Sequence, residues 1–204
     1  MQQDIVQVHD RLFRRFIPAE DIRRRIAELG EKIRGDYNDK NIVYVIVLKG
    51  AMMFAMDLIR SASLPCEIEV VVASSYGENM RSSGNVSLDI SPSLRSLHDK
   101  HVILVEDIVD TGKTIAGLRE ELRKFSPESI RIATLLFKSG AYSETLPIDY
   151  IGFDIAPEFV VGYGMDYAEA GRHLPDVYVL HSESNPAEAQ TYANEEQNAR
   201  IEVR

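Results

Sequence analysis

Cysteine is nearly absent from this sequence. The single one, Cys66, rules out a disulfide within the 204 residues. The five histidines, His9, His98, His101, His173 and His181, show no metal-ligand spacing, so a zinc site has no support. Basic residues are also scarce: 23 against 32 acidic ones leave a formal charge of -9. That balance opposes a general electrostatic grip on nucleic acid. Long apolar runs are missing too. The richest stretch, Ile42 to Ile59, is interrupted by Lys49, Gly50 and Asp57 and reads as a strand followed by a helix. The N-terminus carries neither a basic start with an apolar stretch nor a small-residue cleavage site. These absences lead to the expectation of a soluble, cytoplasmic protein with no nucleic-acid or membrane partner.

What is present is enough apolar residue, 45% of the chain, for one sizeable core with a subsidiary lobe. After Pro18, Ile22, Ile26, Leu29 and Ile33 form one helical stripe, with Glu20/Arg24, Asp21/Arg25 and Glu28/Lys32 spaced for surface ion pairs. Arg23 to Arg25 read as part of that solvated face. Short β-branched runs follow at 42–48, 67–75, 102–105, 130–137 and 176–180. Their lack of alternation suits strands covered on both faces. Helical segments lie between them, one aligning Ile115, Leu118, Leu122 and Phe125. The alternation predicts an α/β fold with a doubly wound, mostly parallel sheet, whose ligands bind at the carboxyl ends of the strands. Residues 76–96 are polar and long, the mark of a lid or binding loop, with a period-two fragment Val86, Leu88, Ile90 that could fold back as a strand. The polar tail, 183–204, has no apolar stripe and is expected to be loosely ordered.

The chemistry concentrates in VILVEDIVDTGKT, 102–114, where Glu106, Asp107 and Asp110 precede Thr111, Gly112, Lys113 and Thr114. Amides at a helix start, with roughly half a positive elementary charge, suit a terminal phosphate. Carboxylates repel phosphate, so they need another target: ribose hydroxyls, or a divalent cation that links them to substrate oxygens. A phosphorylated ribose with its metal satisfies the whole run. A P-loop is excluded because its first glycine position is Asp107, and GYG at 162–164 is no dinucleotide fingerprint because the third glycine position is Tyr167. Acids that merely end a strand and cap a helix would explain one carboxylate rather than three.

This segment resembles the signature of the type I phosphoribosyltransferases. LKG (48–50), SSYG (74–77), LLFK (135–138) and IGFDIAPEFVVGYGMDYAEAGRHLP (151–175) narrow the resemblance to the hypoxanthine (hypoxanthine-guanine) branch, over about Ile42 to Leu180. It implies one domain over 1–182, with a small hood lobe and a mobile loop at about 75–92. It also implies Mg2+-dependent purine salvage, in which hypoxanthine or guanine displaces pyrophosphate from phosphoribosyl pyrophosphate (PRPP) to give IMP or GMP, in a dimer or tetramer of identical chains. On the same footing, Asp110 is the general base, Glu106 and Asp107 address the ribose and metal, and Thr111 to Thr114 hold the 5-phosphate. Lys113 stays open between a functional and a surface charge. Lys138 would donate to the purine 6-oxo group, Phe159 would stack on the base, and Val160 would meet the base edge. Asp166 would bind the metal associated with pyrophosphate, and Arg172, Lys49 and Gly50 would hold the pyrophosphate, with a cis peptide before Lys49. Ser75 and Tyr76 mark the loop that would close over the reaction. By the same resemblance, many relatives carry a bulky aromatic next to the arginine, and Gly171 makes the Arg172 loop more permissive. The competing readings are a transferase for another base, such as xanthine, and a PRPP-binding regulator of nucleic acid. The charge of -9 opposes the regulator.

Overall fold

The computed structural model describes residues 4–74, 87–88 and 97–181. In chain order the elements are β1 (Ile5–Val8), β2 (Arg11–Ile17), α1 (Ala19–Tyr37), β3 (Ile42–Leu48), α2 (Met52–Ala62), β4 (Cys66–Ser74), β5 (Ser87–Leu88), β6 (His101–Val109), α3 (Lys113–Arg123), β7 (Ser129–Phe137), β8 (Tyr150–Asp154), β9 (Val160–Val161) and β10 (Val177–Leu180). They fall into two compact units, one spanning 20–157 and the other formed by the two chain ends, 1–19 and 158–204.

The larger unit is a six-stranded sheet in the order β5-β4-β3-β6-β7-β8. All neighbours are parallel except β5, which pairs antiparallel with β4. Val43, Val45 and Val47 of β3 and Val102 and Leu104 of β6 pack with Ile115, Leu118 and Leu122 of α3. Because side chains alternate along a strand, Tyr44, Ile46 and Ile103 point to the other face, where they are buried as well. A continuous apolar run is therefore what the central strands require. Helix α1 is tied to both sides of its surroundings: Arg25 donates to the carbonyls of Ile151 and Gly152 at 2.8 and 2.9 Å, and Arg34 to those of Ser61 and Ala62 at 2.8 and 2.9 Å.

Three expectations are corrected in this unit. Arg25 does not lie on a solvated face paired with Asp21; it clamps β8 and pairs with Glu28 at 2.5 Å, while Asp21 pairs with Arg24. Strand β4 is not covered on both faces, since Ile68, Val70 and Val72 are exposed while Val71 is buried. An apolar run reads the same in either case. Strand β6 also runs four residues past Val105, so Glu106 and Asp107 stand within it rather than beyond its end. Pairing with β3 stops at Ile46↔Val105, whereas β7 continues to Val109↔Phe137. The acids thus occupy the step where one neighbour has ended and the other has not.

The smaller unit is an antiparallel sheet, β1-β2-β10-β9, with Val8, Phe13, Val161 and Tyr178 at its centre. The 176–180 run, expected in the parallel sheet, belongs here. The β1–β2 hairpin was hidden in the sequence because Arg11, Arg14 and Arg15 interrupt its apolar pattern, although Leu12, Phe13 and Ile17 are buried. Fully buried Asp176 accepts the amide of Ala19 at 2.6 Å and so caps the start of α1. Of the period-two fragment, Ser87 and Leu88 form β5; Ser75, Tyr76, the rest of the 75–92 loop and the tail lie outside the described residues. Among the described residues no helix is long and apolar enough to cross a membrane.

Candidate active site

At the step beside β3, Glu106 is half-buried, and its Oε2 is shut away from water with no hydrogen-bond partner among the described residues. Burial first, and the charge of Asp107 second, push its carboxyl well above the usual range. Asp107 Oδ1 accepts the amide of Ile108 at 3.0 Å. Its Oδ2 lies against the backbone of Gly50: a Cβ built there would fall 1.7 Å from it. The LKG turn and the acid pair are thereby brought together. Lys49 is exposed, and the peptide between Leu48 and Lys49 is cis, as the resemblance implied.

Six residues past Glu106, Gly112 occupies the N-cap of α3 at φ 86°, with no side-chain cap bond. The positive φ suits glycine, and so does the space, since a Cβ would come within 2.3 Å of the Tyr142 ring and 2.9 Å of Glu144. The carbonyl of Thr111 is held by the amide and hydroxyl of Ser143 at 3.2 and 3.1 Å. The turn is therefore fixed from the 138–149 segment, while Thr111, Lys113 and Thr114 remain exposed. The first amides of a helix have no intrahelical acceptor, so this turn presents donors to an anion. The helix itself begins at Lys113, leaving Thr111 in the turn ahead of it.

Asp110, on the same turn, pairs with Lys138 at 2.8 Å. The lysine side chain is 12% exposed and the carboxylate 48%, so the cation is mostly enclosed while the anion faces outward. Lys138 is fixed at the end of β7, where its amide donates to Val109 at 2.9 Å.

The remaining expected residues lie in the smaller unit. Phe159 is 47% exposed, while Val160 is buried in β9. Asp166 and Arg172 pair at 2.7 Å across a tight loop. Asp166 also accepts the amide of Glu169 at 2.8 Å, and Arg172 donates to the carbonyl of Gly164 at 2.9 Å. Arg172 is thus committed to its own loop rather than held out as an open fork. Gly171 has φ 97°, a conformation that disfavours any bulky side chain at that position.

Among the described residues no three His, Cys, Asp or Glu side chains gather into a cation cage. A divalent cation held together with substrate phosphates typically needs only one or two carboxylates from the protein. In the larger unit, Glu106, with its unpartnered buried oxygen, and its neighbour Asp107 have that chemistry; in the smaller unit, the carboxylate of Asp166 is paired with Arg172. Tyr142 and Ser143, which shape the phosphate turn, escaped the sequence reading. Their contacts lie 30 residues or more from the turn, and no local pattern announces them.

Fold and site define a class: an α/β protein with acidic side chains at a step of its parallel sheet and, just beyond them, a helix start that presents donors to an anion. The phosphoribosyl transferase domain model matches residues 18–168. The hypoxanthine-guanine phosphoribosyltransferase of Mycobacterium tuberculosis is 42% identical over 170 residues, 80% of this chain and 84% of its own. The hypoxanthine phosphoribosyltransferase of Escherichia coli is 42% identical over 163 residues, 78% and 90% of the two chains. A solved hypoxanthine phosphoribosyltransferase from Staphylococcus aureus superposes with a TM-score of 0.77 at 35% identity, covering 88% of this chain and 95% of that one. The chain belongs to the phosphoribosyltransferase family, in its hypoxanthine and hypoxanthine-guanine branch.

Proposed function

We propose that this protein is a cytoplasmic purine-salvage enzyme that transfers the 5-phosphoribosyl group of PRPP to hypoxanthine and guanine, giving IMP or GMP and pyrophosphate. The observation that carries the reading is the Asp110–Lys138 pair, 2.8 Å apart beside a helix start that offers amides to a phosphate. A 6-oxopurine presents a carbonyl oxygen next to a ring N–H. Lys138 can donate to the oxygen while Asp110 accepts the N–H, so the base replaces the ion pair with two charge-assisted hydrogen bonds. Adenine would set an amino donor against the ammonium and leave both unpaired, which is the kind of mismatch that discriminates strongly.

In the reaction, a purine nitrogen forms a bond to the ribose anomeric carbon as the bond from that carbon to pyrophosphate breaks. The proton leaves the base for Asp110. Amides of the Thr111–Thr114 turn hold the 5-phosphate, and Glu106 and Asp107 accept the ribose hydroxyls. Lys49, Gly50 and Arg172 take the pyrophosphate, Arg172 by exchanging its present bonds to Asp166 and Glu169. Bound Mg2+ would neutralise charge on the departing pyrophosphate, and Asp166, Glu106 and Asp107 are the side chains whose chemistry suits holding it. Phe159 stacks on the base and Val160 meets its edge with backbone groups. The active form is a homo-oligomer, dimer or tetramer. The exposed Met52, Met53 and Met56 of α2, and Ile68, Val70 and Val72 of the next element, β4, support that assembly.

Incubation with PRPP, Mg2+ and each base in turn, followed by measurement of nucleotide and pyrophosphate, tests the proposal. Turnover with hypoxanthine or guanine is expected. Turnover with neither would reject it, and turnover with xanthine alone would reassign the substrate.

A further inference from the structure

The geometry points to Tyr167 as a positioning residue that fixes the ring of Phe159, with the β1–β2 turn in its turn fixing Tyr167. This rests on the reading of Phe159 as the ring that stacks on the purine. Phe159 is 47% exposed, so an unsupported ring would sample several rotamers and lose that freedom when a base lands on it. It is not unsupported. Tyr167 meets it edge-on, with ring centres 5.9 Å apart and planes at 85°. Fully buried Phe13 lies 6.2 Å from both rings, so the three form a closed aromatic triangle with Phe159 as its exposed corner.

Tyr167 is held with more contacts than a filler needs. Its hydroxyl donates to Asp10 at 3.0 Å and accepts from Arg11 Nε at 3.3 Å. The Arg11 guanidinium also lies 5.7 Å from the centre of its ring, close enough for a cation–π contact. His9 adds an edge contact at 5.9 Å and reaches the carbonyl of Ala168 at 3.1 Å. The Tyr167 hydrogen bond is the first cause of an Asp10 carboxyl held below its usual range. His9, Asp10 and Arg11 are consecutive, and the three of them converge on one side chain and its loop. That loop is closed by reciprocal bonds between the backbones of Tyr167 and Ala170 at 2.9 and 3.1 Å. Asp166, the preceding residue, turns instead to Arg172. On that reading neighbouring positions serve different substrates, Asp166 the pyrophosphate of PRPP and Tyr167 the base.

The consequence is a separation of effects on the two substrates. KM values for hypoxanthine and for PRPP are measured for Phe159→Ala, Tyr167→Ala, Tyr167→Phe, Asp10→Asn and the Phe159→Ala/Tyr167→Ala double variant, with thermal melts to confirm folding. Tyr167→Ala is expected to raise the hypoxanthine KM by about 5–10-fold and leave the PRPP KM within about twofold. Tyr167→Phe, which keeps shape and loses the hydroxyl anchor, and Asp10→Asn, which keeps an acceptor and loses the charge that strengthens it, should move the same constant by about 2–3-fold. In the Phe159→Ala background, removing Tyr167 should add less than about twofold, because it acts through the missing ring. If Tyr167→Ala fails to fold, the two conservative variants decide the matter, and an unchanged hypoxanthine KM in both overturns the inference. Equal rises in both constants, or effects that multiply in the double variant, overturn it as well. A hypoxanthine KM untouched by Phe159→Ala would instead sink the stacking role itself, a separate result from a normal Phe159 effect with a silent Tyr167.

Discussion

Asp110 has two attachments of opposite kind: a cation at 2.8 Å and a turn that offers amides to an anion. If it takes the purine proton, Asp110→Asn should lower kcat by about 100-fold or more, while both KM values change by less than about threefold. Steady-state kinetics would show it, and a kcat within threefold of the parent would remove Asp110 from the role. Gly112 makes a second case. Any side chain there must adopt φ 86° and enter the space of Tyr142, so Gly112→Ala should destabilise the fold by about 1–3 kcal/mol and raise the KM for PRPP. Chemical denaturation and kinetics measure the two effects, and an unchanged midpoint would refute the packing argument. The acids, the glycine and the strand-end lysine were legible in the sequence because they are consecutive or follow a clear apolar run. Tyr142 and Ser143, which support the turn, and Tyr167, which supports Phe159, were not, because each acts through contacts made only when distant segments meet.

Elements with a single strong periodicity were read well and mixed ones poorly. The stripe Ile22, Ile26, Leu29, Ile33 became α1, and the β-branched runs became β3, β6 and β7. The β1–β2 hairpin and β8 were missed because arginines or glycine break their short apolar patterns. The end of β6 was misplaced because charged side chains in it have somewhere to go once β3 has stopped. The attachment of α1 to the sheet edge makes a further prediction. Asp36, near the C-terminus of α1, accepts from the Tyr150 hydroxyl at 2.7 Å and from Arg131 at 2.6 Å, and these bonds, that of Tyr150 foremost, hold its carboxyl below the usual range. A depressed carboxyl binds fewer protons in the folded state than in the unfolded one. Its contribution is therefore complete above the ordinary carboxylate pKa and lost as pH falls through the folded value. Asp36→Asn should lower the melting temperature at neutral pH and flatten its decline below about pH 4. An acid limb identical to that of the parent would show that the attachment does not contribute.

At the scale of the whole molecule, a net charge of -9 coexists with a local demand for anions, phosphate and pyrophosphate. If that demand is met by the backbone amides of the turn, Lys49 and Arg172 rather than by a basic surface, affinity for PRPP should depend on salt less steeply than a broad electrostatic footprint would. Assembly is a second property of the whole. If Ile68, Val70 and Val72 are covered by another copy, sedimentation should give a mass of two or four chains, and Val70→Lys should shift it toward one. A parent protein that sediments as a single chain at micromolar concentration would dismiss that assembly. The central claim is that one ribose 5-phosphate is held on two sides, by carboxylates at its ring and main-chain donors at its tail. A crystal structure with IMP bound tests it most directly. The account predicts the phosphate against the amides of Thr111 to Thr114 with the ribose hydroxyls on Glu106 and Asp107; a nucleotide bound elsewhere, with that turn empty, would contradict it.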